Sequence, residues 1–242
     1  MAEEMAGSSA AIRRLSVVVP AFNEATTIIT VLQAIAEQRR PDIAYEVIVV
    51  DDGSSDGTAA LVETRPDLYS HLIQLSQNRG KGAAVKAGLA RASGDYVLIQ
   101  DADLEYDPAD YPALLLPVLK READLVMGSR MIAPAMTRVH YLWHRVGNRL
   151  ITFLFNITFN TSFTDIYSGY LLYRRSLLDA AELKTIGWEQ HAEMLARLVR
   201  RAGRIYEVPI SYFGRTYAEG KKIRAHHLFP IIGQILTRRL MA

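Results

Sequence analysis

The chain has 242 residues, half of them hydrophobic, with a formal net charge of +2 and no cysteine. That length and apolar share suffice for one sizeable core. The lack of cysteine excludes disulfides, thiolate metal sites and a cysteine nucleophile, and fits a reducing compartment.

The elements alternate along the chain. "MAEEMAGSSAA" carries no apolar signal segment and reads as part of a disordered tail over 1–12. "LSVVVP" (15–20) is a β-branched run closed by Pro20 and predicts a strand. "EATTIITVLQAIAEQ" (24–38) repeats apolar residues at helical spacing. "YEVIVVDD" (45–52) predicts a second strand and "SDGTAALVETR" (55–65) a helix. "LIQL" (72–75), "KGAAVKAGLARA" (81–92) and "DYVLIQDAD" (95–103) predict strand, helix and strand. A helix over about 109–121 then leads to the strand "ADLVMGSR" (123–130). The strands are continuous apolar runs, as expected of strands buried on both faces. The predicted fold class is therefore α/β, a doubly wound, mostly parallel sheet with helices on both faces. Residues 131–242 read as a second half on the same core. The domain expectation is one unit over 13–225 followed by an amphipathic helix over 226–242.

Charge is uneven. Residues 42–124 hold 15 Asp and Glu against 7 Lys and Arg, whereas residues 125–242 hold 7 against 17. An acidic half and a basic half suit a metal site on one side and an anionic partner on the other; the plainer reading of the basic half is a solvated face. No uninterrupted run of about 18 apolar residues occurs, so no spanning helix is expected.

Three polar clusters fall at strand ends: "PAFNE", "DDGSSDGT" and "DADLE". In open parallel sheets, ligands bind beyond the carboxyl ends of the strands. A carboxylate at Asp52 can accept hydrogen bonds from a nucleobase or ribose, and Asp56 suits capping of the helix that follows. Asp101 and Asp103, with no His or Cys beside them, suit a hard ion, Mg²⁺ or Mn²⁺, which keeps waters and takes phosphate oxygens as further ligands. Glu105 is placed as a third ligand, direct or through water. Asp107, before Pro108, reads as a helix cap.

The motifs "VVVPAFNEA", "VIVVDDGSSDGT", "NRGKGAAVKAGL", "DADLEYDP" and "GSR", in this order, resemble the GT-A catalytic domain of family 2 inverting glycosyltransferases. "DIYSGYLLYRR", "GWEQHAEML" and "GRTYAEGKKI" are similar to polyprenyl-phosphate glycosyltransferases of the dolichyl-phosphate mannose synthase type, so the likeness spans roughly 14–224. It implies transfer of a hexose from a nucleotide sugar, GDP-mannose or UDP-glucose, to a polyprenyl or dolichyl phosphate. The carried-over roles place Pro20, Ala21, Glu24 and Asp52 at the base and ribose, with Lys81 near the nucleotide. Asp101 and Asp103 hold the metal, with Glu105 supporting. Arg215 and Lys221 close over the pyrophosphate. Arg130, with Arg145 or Arg149, holds the acceptor phosphate, and Asp165 lies near the reaction centre. Glu193 matches a family glutamate, for which helix stabilisation is the plainer role. His191 is a candidate proton acceptor or a packing residue.

The expected partners are the sugar donor, the lipid phosphate and a membrane surface, with no nucleic acid and self-association left open. The expected location is the cytoplasmic face of a membrane, peripherally attached. "HYLWHRVGNRLITFLFNITF" (140–159) and "HHLFPIIGQILTRRLMA" (226–242) read as interfacial helices, with Ile231, Ile232 and Ile235 among the inserting residues. A saccharide acceptor is the main competing reading, although the expected base and Arg-Trp motif are missing. A sugar nucleotidyltransferase would carry a Gly-rich, Arg-containing loop after the first strand, and "PAFNE" is not one.

Overall fold

The computed structural model describes residues 12–132, 142–187, 189–214, 230–233, 235 and 237. Seven strands form one sheet: β1 (Arg14–Ala21), β2 (Ala44–Asp51), β3 (His71–Gln74), β4 (Tyr96–Ile99), β5 (Leu125–Ser129), β6 (Leu171–Arg174) and β7 (Ile205–Pro209). Their order is β3-β2-β1-β4-β6-β5-β7, and every pairing is parallel except those of β6 with β4 and β5. The mostly parallel sheet is as expected.

Strand residues alternate between two cores. Val17, Val19, Val47 and Val49 face α1 (Ile28–Glu37), α2 (Thr58–Glu63) and α4 (Tyr111–Arg121). Val18, Ile48, Val50 and Val97 face α3 (Lys81–Arg91), α5 (Leu142–Phe159) and α6 (Gln190–Arg201). Both strand faces are covered, which is why the strands are written as unbroken apolar runs rather than alternating ones. Among the described residues no helix is long and apolar enough to cross a membrane.

Three expectations change. The fourth strand ends at Ile99 rather than Asp103, because the chain turns away after Gln100, whose amide donates to the Val18 carbonyl (3.0 Å). Ile12, assigned to the tail, is buried in the core. Ile231 and Ile235 are 3% and 1% exposed and pack in the α3/α5/α6 core, so they do not insert into a bilayer. The rest of the expected tail over 1–12, and most of 226–242, lie outside the described residues.

Candidate active site

The carboxyl ends of β1, β2 and β4 meet at one edge, and the loops leaving them are bonded into a single frame. After Pro20 and Ala21, Asn23 takes a left-handed backbone (φ 53°). Its amide donates to Ser54 Oγ (2.9 Å), and its side chain accepts from the Ser55 amide (2.9 Å). The Glu24 amide donates to Thr58 Oγ1 (3.0 Å) and the Ala25 amide to Asp56 (3.0 Å). Asp56 also accepts from the Thr58 amide at the start of α2 (3.0 Å), but the cap position of that helix, expected at Asp56, is taken by Gly57 in a left-handed conformation. Glu24 is itself buried and accepts from Thr27 Oγ1 (3.1 Å); the same hydroxyl donates to the Ala102 carbonyl (2.9 Å), joining this pair of loops to the acidic turn. Gly53 (φ +70°) is required in the frame: a Cβ there would stand 2.6 Å from the Gln77 main chain.

The two adjacent acids at the end of β2 have different partners. Asp51 accepts from the Ser54 amide (3.1 Å), and its Oδ1 is buried with no partner among the described residues. Asp52 is 2% exposed, and its two oxygens accept from the amides of Arg79 (2.9 Å) and Gly80 (2.8 Å). Burial pushes the Asp52 carboxyl above the usual range despite those bonds. Its observed contacts anchor the loop that begins α3.

That loop delivers Lys81, whose ammonium forms an ion pair with Asp101 Oδ1. Asp101 starts a turn built on the buried side chain of Gln100. Gln100 Oε1 accepts from Tyr111 (2.9 Å) and Tyr170 (2.8 Å), and Nε2 donates to the Asp101 (3.1 Å) and Tyr106 (3.4 Å) carbonyls. Asp103 is half-buried, and its Oδ1 accepts from the Glu105 amide (3.1 Å). Asp107 caps the next turn through the Ala109 amide (2.9 Å), as expected.

Glu105 does not complete an acidic trio. Its carboxylate accepts from the Tyr212 hydroxyl (2.8 Å) and its carbonyl from the Phe213 amide (2.9 Å). No three Asp, Glu or His side chains converge on a metal position among the described residues. The expected third ligand instead tethers the chain just ahead of Arg215; Arg215 and Lys221 themselves lie outside the described residues.

The second half contributes a buried ion pair. Arg130 donates through Nε (2.6 Å) and Nη2 (2.9 Å) to the two oxygens of Asp165, and through Nη2 to the Tyr167 carbonyl (3.0 Å). Asp165 is fully buried and also accepts from Asn148 Nδ2 (2.9 Å) and the Tyr167 amide (3.2 Å). Burial pushes its carboxyl up, but the Arg130 guanidinium more than offsets this and holds it below the usual range. Arg130 thus spends Nε and Nη2 on Asp165 and the Tyr167 carbonyl, and Asp165 is held by Arg130, Asn148 and the Tyr167 amide. Arg145 and Arg149 lie exposed, one turn apart on α5, while Asn148 between them turns inward. Glu193 accepts from the amides of Lys184 and Thr185 (3.1 and 2.9 Å), which ties the preceding loop to α6, and it also pairs with Arg197 one turn on (3.2 Å).

A family model described as glycosyl transferase family 2 matches residues 16–181. The chain belongs to glycosyl transferase family 2. A glycosyltransferase, AglJ of Haloferax volcanii, is 35% identical over 204 residues, covering 82% of this chain and 63% of its own length. An undecaprenyl-phosphate 4-deoxy-4-formamido-L-arabinose transferase of Sodalis glossinidius is 28% identical over 214 residues, 87% of this chain and 63% of that protein. The chain thus spans less than two thirds of these relatives. Glucosyl-3-phosphoglycerate synthase of Mycobacterium tuberculosis, in a complex with Mn²⁺, UDP and phosphoglyceric acid, shares the fold with a TM-score of 0.70 at 23% identity, over 94% of this chain and 78% of that one.

For a family 2 glycosyltransferase, the parallel edge offers an all-oxygen donor pair, Asp101 and Asp103, with an ammonium already balancing one of them. Two carboxylates without a third fit a hard divalent ion that completes its shell with water and diphosphate oxygens. Sequence reasoning missed Gln100, Asn148 and Tyr212, which shape this family 2 site from beneath. Gln100 meets Tyr111 and Tyr170, Asn148 meets Asp165 and Tyr212 meets Glu105, 11 to 107 residues apart, and no local pattern marks these pairings.

Proposed function

We propose that the chain transfers a hexose from GDP-mannose or UDP-glucose to a polyprenyl or dolichyl phosphate, with inversion and with Mg²⁺ or Mn²⁺ bound at Asp101 and Asp103. The observation that carries this reading is the acidic turn itself: two carboxylates at the parallel edge, on a rigid Gln100 base, beside Lys81. The Sodalis relative, by name an undecaprenyl-phosphate transferase, supports the acceptor class.

Asp101 and Asp103 would hold the divalent ion, which would supply positive charge to the departing nucleoside diphosphate. Lys81 adds a cation at the phosphates, and Pro20, Ala21, Glu24 and Asp52 frame the nucleoside. Arg215 and Lys221, which follow the tethered Tyr212–Gly214 segment, close over the pyrophosphate. A phosphate acceptor is already ionised near neutral pH, so attack on the anomeric carbon needs no strong base. The fully bonded Asp165 is consistent with that chemistry; in this reading it positions Arg130 at the floor of the acceptor side.

We infer further that α5 is the membrane-facing element. Leu142, Trp143, Val146, Leu150, Phe153 and Ile157 are exposed on it, Trp143 at 78%, beside exposed Arg145 and Arg149. An apolar stripe whose helix carries two exposed arginines and no acid suits an anionic bilayer surface, where the cytoplasmic face carries its charge. The two arginines, assigned to the acceptor phosphate, fit lipid headgroup phosphates equally well in this position.

The test is a transfer assay with Mn²⁺, radiolabelled donors and either polyprenyl phosphate or saccharide acceptors. Labelled lipid from one donor supports the reading. Label passing only to saccharide overturns the acceptor, and no Mn²⁺ dependence overturns the metal.

A further inference from the structure

One polar group near the acidic turn has no bond to explain it. His191 sits in the first turn of α6, and its Nε2 is buried with no hydrogen-bond partner among the described residues. Buried polar atoms in native proteins are nearly always paired, so an exception calls for a cause. The ring is not loose. Gln190, next to it, donates from Nε2 to the Gly82 carbonyl (2.7 Å) and the Thr185 carbonyl (3.0 Å), which fixes the start of α6 on the start of α3. The Tyr167 ring lies against the imidazole with centroids 5.6 Å apart. The ring's hydrogen bond goes to the main chain of Ile166. Burial foremost, and the Lys81 ammonium after it, push the imidazole down to about 4, so it is neutral at physiological pH. With one nitrogen committed to the main chain, Nε2 carries the lone pair.

The residue bonded by Gln190 adjoins Lys81, and Lys81 is the cation that feels His191. In the structure that ammonium is paired with Asp101. A divalent ion on Asp101 would remove this partner and repel the ammonium. We propose that His191 is a positioning residue for Lys81: when a divalent ion occupies Asp101, His191 Nε2 accepts a hydrogen bond from the Lys81 ammonium and holds it beside the diphosphate. The nitrogen without a partner among the described residues is then the acceptor for that bond. This rests on the proposed metal site at Asp101 and Asp103, and it goes beyond it by assigning the histidine.

The experiment is a double-mutant cycle read by calorimetric binding of UDP and GDP with Mn²⁺, using the full chain. His191→Leu should leave the thermal midpoint unchanged or raise it, since it removes an unpaired buried nitrogen. It should weaken binding of the Mn²⁺-nucleotide about tenfold, the scale of one lost charge-assisted hydrogen bond. In a Lys81→Met background the same change should have no further effect. His191→Gln, which keeps an acceptor, should restore most of the affinity. On the wild-type protein, the His191 Nε2 nitrogen resonance should shift when Mg²⁺ and nucleotide are added together and not with either alone. Independent, additive losses in the cycle, or an unmoved resonance in a protein that binds Mg²⁺-nucleotide, would overturn the assignment of His191. Failure of the wild type to bind any nucleotide with Mn²⁺ would instead overturn the metal site beneath it.

Discussion

The two ends of the sheet hold acids of opposite kinds. At the amino ends of the parallel strands, three acids are each held by two or more donors. Glu46 accepts from Ser16 Oγ (2.5 Å) and from the amide and hydroxyl of Ser93 (2.8 Å each). Asp95 accepts from the amides of Arg13 (2.8 Å) and Arg14 (2.9 Å). Asp124 accepts from the amides of Gly203 and Arg204 (3.0 Å each) and from Arg174 Nε (3.0 Å). At the carboxyl ends, Asp51 keeps an unpaired oxygen, Asp52 is pushed up by burial, and Asp101 faces a single ammonium. Carboxylates at the first end serve as clamps; at the second, Asp52 is likewise anchored by two amides, whereas Asp101 is paired with a side-chain ammonium, a partner that another cation can replace.

The sharpest way to break this contrast is to remove an acid from the carboxyl end. Asp103→Ala should lower transfer by two to three orders of magnitude or about that, with the thermal midpoint nearly unchanged. A large drop in midpoint with residual activity would place Asp103 among the clamps.

Much of this division was legible in the sequence. Five strands announced themselves as apolar runs, and the acids at their ends could be assigned to one edge by the parallel rule. β6 and β7 went unseen. "LLYR" is four residues entered from a polar turn, and "IYEVP" is an edge strand with polar residues among its apolar ones. The roles of Glu105, Arg130 and Asp165 were illegible for a different reason. Glu105 meets Tyr212 and Arg130 meets Asp165 only after folding, across 107 and 35 residues. A carboxylate's chemistry is set by such partners, and residue type alone does not reveal them.

The buried pair stands between the two ends in kind. Arg130→Ala should destabilise the fold by about 3 kcal/mol, because it leaves the Asp165 carboxylate buried without its cation. Denaturant melts measure this. If stability is kept while acceptor affinity falls, Arg130 acts on the acceptor directly.

At the amino end, Glu46→Ala should cost about 2 kcal/mol of stability and leave nucleotide binding intact. The pH dependence follows in sign. Burial raises the Glu46 carboxyl, and the bonds from Ser16 and Ser93 more than reverse it; two main-chain amides lower Asp95 directly. Both are thus held below their unfolded values of about 4. Their stabilisation is complete above that pH and is lost as pH falls through the lowered folded values. Melting midpoints should therefore decline below about pH 4, and less steeply in Glu46→Gln. An identical decline in that variant would assign the acid sensitivity elsewhere.

The smallest effect concerns α5. Trp143→Ala with Phe153→Ala should lower co-sedimentation with anionic vesicles about three- to tenfold, more so at low salt, with the fold and nucleotide binding unchanged. Unchanged sedimentation would show that this stripe meets another surface.

The most direct test of the contrast between the two ends is calorimetric titration of UDP and GDP into the protein with Mn²⁺ and with EDTA, repeated for Asp101→Asn. The account predicts that one nucleotide binds tightly only with Mn²⁺, and that Asp101→Asn abolishes the difference between the two conditions. Equal affinity with Mn²⁺ and with EDTA in the wild type would contradict it, because the acids of the carboxyl edge would then hold no ion for the donor.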